Sequence, residues 1–238
     1  MNKKLSLLVA FALSLQIINA QIEHQFNQEE LIGKGKIEFY SKTILLKVEA
    51  GKAFKKMQIA ARKEGFEIEI VSAYRSYERQ KEIWNRKYKV NAKDQLTPDE
   101  NIRKIIEYST LPGSSRHHWG TDIDIIDGSK KNEGDVLLSH KFHGNGPYAP
   151  LRRWLDLNSE KFGFIRPYTN DITRKGFNYE PWHYSYAPIA VPMLKAYLKL
   201  DLLKILTPNS LEGSNYITSK FLSSYINENV LGIVHTLK

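Results

Sequence analysis

The sequence has 238 residues, 42% of them hydrophobic, a formal net charge of +9 and no cysteine. That length suits one large domain, or one domain with an extension, and the lack of cysteine excludes a disulfide scaffold and any thiolate metal site, leaving histidine and carboxylate as ligands. The basic balance suits an anionic partner; the lysines are scattered among acids with no concentrated basic block or RNA-binding signature, so nucleic acid is not expected and an anionic envelope polymer accounts for the charge.

Residues 1–20 open with Lys3 and Lys4, continue as a mostly apolar run over 5–18 and close on Asn19 and Ala20. This is the anatomy of a secretory signal cleaved before Gln21. The run is shorter than the about 20 apolar residues of a membrane span, so the mature chain is expected to be exported to the periplasm or the extracellular envelope without stable membrane insertion. An uncleaved anchor is the alternative. Residues 24–200 read as one domain, with no internal repeat or long Pro/Gly/Ser linker, and residues 201–238 as an extension whose apolar clusters, Leu202-Leu203-Ile205 and Val230-Leu231-Ile233-Val234, predict packing on that domain.

Within 24–200, Ala50, Ala53, Phe54, Met57, Ala60 and Ala61 recur at helical spacing and stop at Gly65, predicting a helix over 49–64. Phe66, Ile68 and Ile70 then alternate with Glu67 and Glu69, a half-buried strand that delivers the segment Ser72-Ala73-Tyr74-Arg75-Ser76 to its end. A helix is predicted over 77–89. Thr97-Pro98-Asp99-Glu100 is a capping-box start for another through about 108, and 111–116 reads as loop. In 121–126, Asp122 and Asp124 alternate with Ile123 and Ile125, which predicts a strand with both carboxylates on one face. A helix over about 150–162 stops at Gly163, 179–186 looks extended, and a last core helix spans 189–200. Helices mixed with short strands that need not be parallel predict an α+β fold: a small antiparallel sheet flanked by helices, with a helical C-terminal extension.

Reactive side chains gather in three segments: 72–80, 115–124 and 180–183. A catalytic zinc takes three protein ligands and keeps a fourth position open. His117 precedes the turn at Gly120 and Asp124 follows it, so both can reach one metal, and His183 would join from about sixty residues further on. Glu180 lies three positions before His183, which in a regular strand would put them on opposite faces; a bend at Pro181 brings Glu180 within reach of an attacking water as general base. A rival is the pair His140 and His143, whose spacing could clasp a metal but which lacks the glutamate of a zincin helix and is flanked by Gly144 and Gly146.

The second segment resembles the Ser-x-His-x-x-Gly-x-Ala-x-Asp motif, and the third the Glu-x-Trp-His motif, of D-alanyl-D-alanine carboxypeptidases of the VanY type and their dipeptidase relatives. The first is similar to that family's Ser-x-Tyr-Arg-Ser-x-x-x-Gln motif. The resemblance covers about residues 40–190 and implies the hedgehog/DD-peptidase fold and one zinc per chain, held by His117, Asp124 and His183. It further implies Glu180 as catalytic base, Arg75 as oxyanion stabiliser, and Gln80 and Ser115 as substrate-binding residues. The implied partners are peptidoglycan stem peptides. A D,D-carboxypeptidase is expected, with an L,D-carboxypeptidase or wall endopeptidase on the same site, or a non-catalytic zinc-stabilised binding module, as alternatives. One position departs from the pattern: Asp122 stands where the family usually has alanine, and could orient a ligand or simply be solvated.

Overall fold

The computed structural model describes residues 26–130, 134–207 and 210–238. The signal-like residues 1–20 lie outside the described residues. In chain order come α1 (Gln28–Leu31), α2 (Val48–Lys63), β1 (Ile68–Ser72), α3 (Tyr77–Asn91), α4 (Pro98–Ile105), β2 (Asp122–Asp127), α5 (Ala149–Asn158), β3 (Phe164–Ile165), β4 (His183–Tyr186), α6 (Ala187–Tyr197), α7 (Leu202–Ile205) and α8 (Ser219–Tyr225). The strands form one antiparallel sheet in the order β1-β2-β4-β3, the α+β arrangement expected. No helix among the described residues is long and apolar enough to cross a membrane.

The central strand β2 is buried along its whole length, and its alternation divides the molecule. Ile123 and Ile125 point into an apolar layer with Phe54, Met57 and Ala61 of α2, Leu151 and Leu155 of α5, and Phe164 and Tyr184. Asp122 and Asp124 take the opposite face, as the two-residue period of a strand requires. The register then assembles the site: Asp124 is the Cα partner of His183 on β4 and of Ser72 on β1, beside a register irregularity between Ile70 and Ser72. Directly paired residues have Cβ atoms about 4.5–5.5 Å apart, so strand pairing alone brings Asp124 and His183 together.

The helix expected over 49–64 is α2, and Thr97 and Glu100 close the anticipated capping box on α4. Other boundaries differ for physical reasons. α4 ends at Ile105 and not near 108, because the chain is captured there by tertiary bonds: Asn178 N donates to Glu107 O at 2.8 Å, and Leu111 N donates to the Tyr225 hydroxyl at 3.0 Å. The helix expected over 150–162 tightens after Asn158 into a 3₁₀ turn, Ser159–Phe162, which ends at Gly163 with φ +81°. α6 runs from Ala187 to Tyr197, two to three residues earlier than expected at each end, with Pro188 in its first turn, where a missing N–H is harmless. Of the stretch 179–186, only 183–186 is strand. Pro181 has no amide hydrogen to offer a ladder, and His183 N instead turns back to Glu180 O at 3.2 Å.

A second apolar cluster joins Leu31, Trp84, Ile102, Trp119, Tyr168, Phe177, Met193 and Leu194 to Leu202, Leu206, Leu211, Leu222, Tyr225, Val230, Ile233 and Leu237. Residues beyond 200 thus share a core with residues of α1, α3, α4 and α6. Polar bonds reinforce the seam: Trp84 Nε1 donates to Glu212 O at 3.0 Å, and the buried Tyr225 hydroxyl also bonds Ser114 Oγ at 2.8 Å.

Candidate metal centre

Three side chains converge where β2 and β4 meet the turn after α4. His117 comes from the 3₁₀ turn Arg116–Trp119, which ends at Gly120 with φ +65°, a conformation that favours glycine and reverses the chain into β2. His117 Nε2 lies 3.3 Å from Asp124 Oδ2, His183 Nδ1 lies 3.2 Å from Asp124 Oδ1, and the two imidazole centroids are 4.8 Å apart. One ligand atom from each residue falls within 4.8 Å of the others, all three side chains being buried. Among the described residues no other such group of histidines and acids forms. His140 and His143 join no such group: His143 Nε2 pairs with the Tyr179 hydroxyl at 3.2 Å, and His140 is exposed in the 3₁₀ turn Ser139–Phe142.

Hydrogen bonds fix which ring nitrogens face the cluster. His117 Nδ1 is 2.7 Å from Ala73 O; a carbonyl only accepts, so Nδ1 carries the proton and the Nε2 lone pair is left for the centre. His183 Nε2 is 2.9 Å from Asp122 Oδ1, which turns Nδ1 toward Asp124 and Glu180. Asp124 Oδ1 is buried and makes no hydrogen bond despite its 3.2 Å approach to His183. Two imidazole lone pairs and an orphaned carboxylate oxygen aimed at one point form the donor set of a borderline cation such as zinc, and leaving that oxygen unsatisfied would otherwise be costly. The residues present therefore fit a zinc ion.

Burial opposes ionisation of Asp124, yet the neighbouring imidazoles of His117 and His183 hold its carboxyl well below the usual carboxylate range. Burial likewise opposes charge on His183, but the carboxylates of Asp122, Asp124 and Glu180 around its ring lift its pKa well above the ordinary value. A proton and a metal ion compete for its Nδ1.

His118 has a different task. Its Nδ1 donates to Arg75 O at 2.6 Å and its Nε2 accepts from Gly113 N at 3.1 Å, a bond that requires the neutral ring. Complete burial pushes its pKa down to about 3. Gly33 packs against this ring so closely that a Cβ there would fall 2.4 Å from Nδ1. His118 is thus a neutral strut under the site.

Arg75, just after β1, is held at both ends. Its amide donates to His117 O at 3.1 Å, Nη1 donates to Gln80 Oε1 at 2.9 Å, and Nη2 donates to Ser72 Oγ at 3.0 Å. Burial lowers its pKa, while Asp124 and Glu180 oppose that shift. Gln80 is fully buried, and its Nε2 donates to Thr110 O at 2.8 Å. It stands behind Arg75 and outside the cleft lining, where its geometry is that of a support for Arg75. Ser115 does line the cleft, with Arg75, Glu180 and the three metal-site residues, in a space of about 460 Å³. The bend at Pro181 sets Glu180 Oε2 3.1 Å from His183 Nδ1. Asp122 is fully buried and so cannot be solvated, a role that the alternation on β2 left undecided.

Comparisons with known proteins bear on the fold that holds these residues. A family model described as VanY, D-alanyl-D-alanine carboxypeptidase, matches residues 43–189. The putative carboxypeptidase YodJ of Bacillus subtilis is 35% identical over 144 residues, covering 59% of this chain and 46% of that protein; the chain therefore spans less than half the length of this curated relative. Among solved structures, a variant of the vancomycin-resistance D,D-pentapeptidase VanY in complex with Zn(II) is 28% identical, with a TM-score of 0.52, over 69% of this chain and 84% of its own. VanYB in complex with D-alanine-D-alanine is 27% identical, with a TM-score of 0.53, over 79% of this chain and 92% of its own.

Proposed function

Because the chain belongs to the VanY family of D-alanyl-D-alanine carboxypeptidases, we propose that it is a zinc-dependent peptidase that releases the terminal D-alanine from peptidoglycan stem peptides in the cell envelope, to which the segment 1–20 exports it. One observation carries the reading: the ligand atoms of His117, Asp124 and His183 lie within 4.8 Å of one another, in one cleft with Glu180 and Arg75.

His117 through Nε2, His183 through Nδ1 and the Asp124 carboxylate hold one zinc per chain. When bound, zinc supplies a Lewis acid that lowers the pKa of water toward about 7 and polarises the scissile carbonyl. Glu180 accepts a proton from the attacking water and passes it to the amide nitrogen as the C–N bond breaks, so that a carboxylate and a free amine leave. Arg75, pinned by Ser72 and Gln80, presents its guanidinium to the negative charge that grows on the carbonyl oxygen, and needs no reorganisation to do so. Ser115 positions the peptide from the cleft wall. The mixed basic surface favours approach of an anionic wall polymer.

The test is a digest of defined stem peptides by the zinc-loaded protein, read by mass spectrometry. Release of a single D-alanine from a D-alanyl-D-alanine terminus is expected. Release from a tetrapeptide only, or cleavage within the stem, would replace the D,D-carboxypeptidase reading with an L,D-carboxypeptidase or an endopeptidase. Zinc-dependent retention of intact peptide without cleavage would identify a binding module.

A further inference from the structure

Asp122 occupies the face of β2 that carries Asp124, at the position where the motif resembled above has alanine, and it is fully buried. Every oxygen is engaged. Oδ1 lies 2.9 Å from His183 Nε2 and accepts from Arg116 Nε at 3.0 Å; Oδ2 accepts from Thr121 Oγ1 at 2.6 Å and from Ser185 Oγ at 2.9 Å. Arg116 Nη2 donates to the same Ser185 hydroxyl at 2.6 Å, and its guanidinium lies 4.8 Å from the Trp119 ring centroid. Ser185 is the Cα partner of Asp122 across β2 and β4, as His183 is of Asp124. Two same-face rungs of one strand pair, either side of the Ile123–Tyr184 rung, therefore carry the metal-facing residues and the network behind them.

This arrangement leaves His183 little freedom. A carboxylate at Nε2 requires the proton there and frees the Nδ1 lone pair for the cleft; its negative charge also raises the basicity of the ring. A buried carboxylate needs a countercharge to persist, and Arg116, itself buried, supplies it. We propose that Asp122, charge-balanced by Arg116, is the positioning residue for His183: it selects the Nδ1-facing tautomer and tightens the hold on zinc. The proposal rests on the reading of His183 as a zinc ligand. It also implies that alanine, the family's usual residue at this position, is unsuitable here while Arg116 remains, because it strands a buried cation.

The experiment measures zinc dissociation constants by chelator competition at fixed pH for wild type, Asp122→Asn, Asp122→Ala and the double variant Asp122→Ala/Arg116→Met. Thermal melting of the zinc-free forms and ¹⁵N spectra of the His183 ring accompany it. Loss of the carboxylate is expected to weaken zinc binding about 10–100-fold. The double variant, freed of the stranded cation, should melt closer to wild type than Asp122→Ala yet keep the weakened affinity and show a shifted His183 tautomer, which a merely structural role would not move. Asp122→Asn, nearly isosteric, removes the charge while its carbonyl can still accept from Nε2, so it is read by the weakened zinc affinity alone if the alanine variants do not fold. Wild-type affinity with an unshifted tautomer in a folded variant overturns the proposal. Wild-type protein that takes up no zinc, or His117→Ala that binds zinc as tightly as wild type, overturns the metal-site reading beneath it.

Discussion

At the metal centre nearly every contact is polar and directional: two strand rungs, two imidazoles with assigned tautomers, and an arginine tied through its backbone amide and both ends of its guanidinium. The segment beyond residue 200 is held by the opposite means, an apolar seam against α1, α3, α4 and α6 with few polar bonds, of which the Tyr225 hydroxyl on Leu111 N and Ser114 Oγ is the most buried. Chemistry in the first region demands particular atoms at particular points, so a single substitution should abolish function with little change in fold. The second region needs volume and apolarity, so a single substitution should shift stability and leave the chemistry standing.

The sharpest way to break that contrast is His183→Ala. It removes a ligand and should cost both stoichiometric zinc and detectable turnover, measured by metal analysis and peptide digest on the same sample. Glu180→Ala should separate the two: zinc remains at one per chain while kcat falls by about 10²–10⁴-fold, the range of a general base. Arg75→Ala is expected to lower kcat by about 10²–10³-fold, equivalent to about 3–4 kcal/mol of lost charge stabilisation, again with zinc retained. Tyr225→Phe strands the buried Leu111 amide, which should destabilise the fold by about 1–3 kcal/mol, read by chemical denaturation, and alter zinc affinity less than any variant of the centre. A Tyr225 variant that lost zinc while remaining folded would show that the two regions are not separable.

A last prediction concerns pH and leaves the chemistry at the centre untouched. His118 has a folded pKa of about 3, below the about 6.5 of an unfolded histidine, so the unfolded chain binds the proton first. Its contribution to stability is complete above about pH 6.5 and is lost as pH falls toward about 3. Replacement of His118 by glutamine, which cannot titrate, should flatten the stability profile across that window; an unchanged slope would mean that other groups set it.

The sequence reading and the structure agree most closely where a period or a register does the work. The alternation of Asp122 and Asp124 with Ile123 and Ile125 specifies which face meets the core, and antiparallel pairing then delivers Asp124 to His183. Adjacent His117 and His118 are alike in sequence; only the loop around them decides that one faces the cleft and the other faces Gly113 and the Arg75 carbonyl. Gln80 was legible as part of the site but not as Arg75's support, because that depends on how α3 is rotated about its axis. Asp122 stood out as a departure from the resembled motif, while its partner Arg116 did not, since a single arginine in a loop is ordinarily solvated. The docking of 201–238 was illegible in detail: apolar clusters announce burial, and many surfaces can satisfy them.

The proposed activity requires that His117, Asp124 and His183 grip a single cation with Glu180 left free beside it. Anomalous diffraction at the zinc edge from crystals of the zinc-loaded protein tests this directly. One strong peak is expected, bonded to His117 Nε2, His183 Nδ1 and the Asp124 carboxylate, with Glu180 outside bonding distance. A peak held by other residues, such as His140 and His143, or no peak in this cleft, would contradict it.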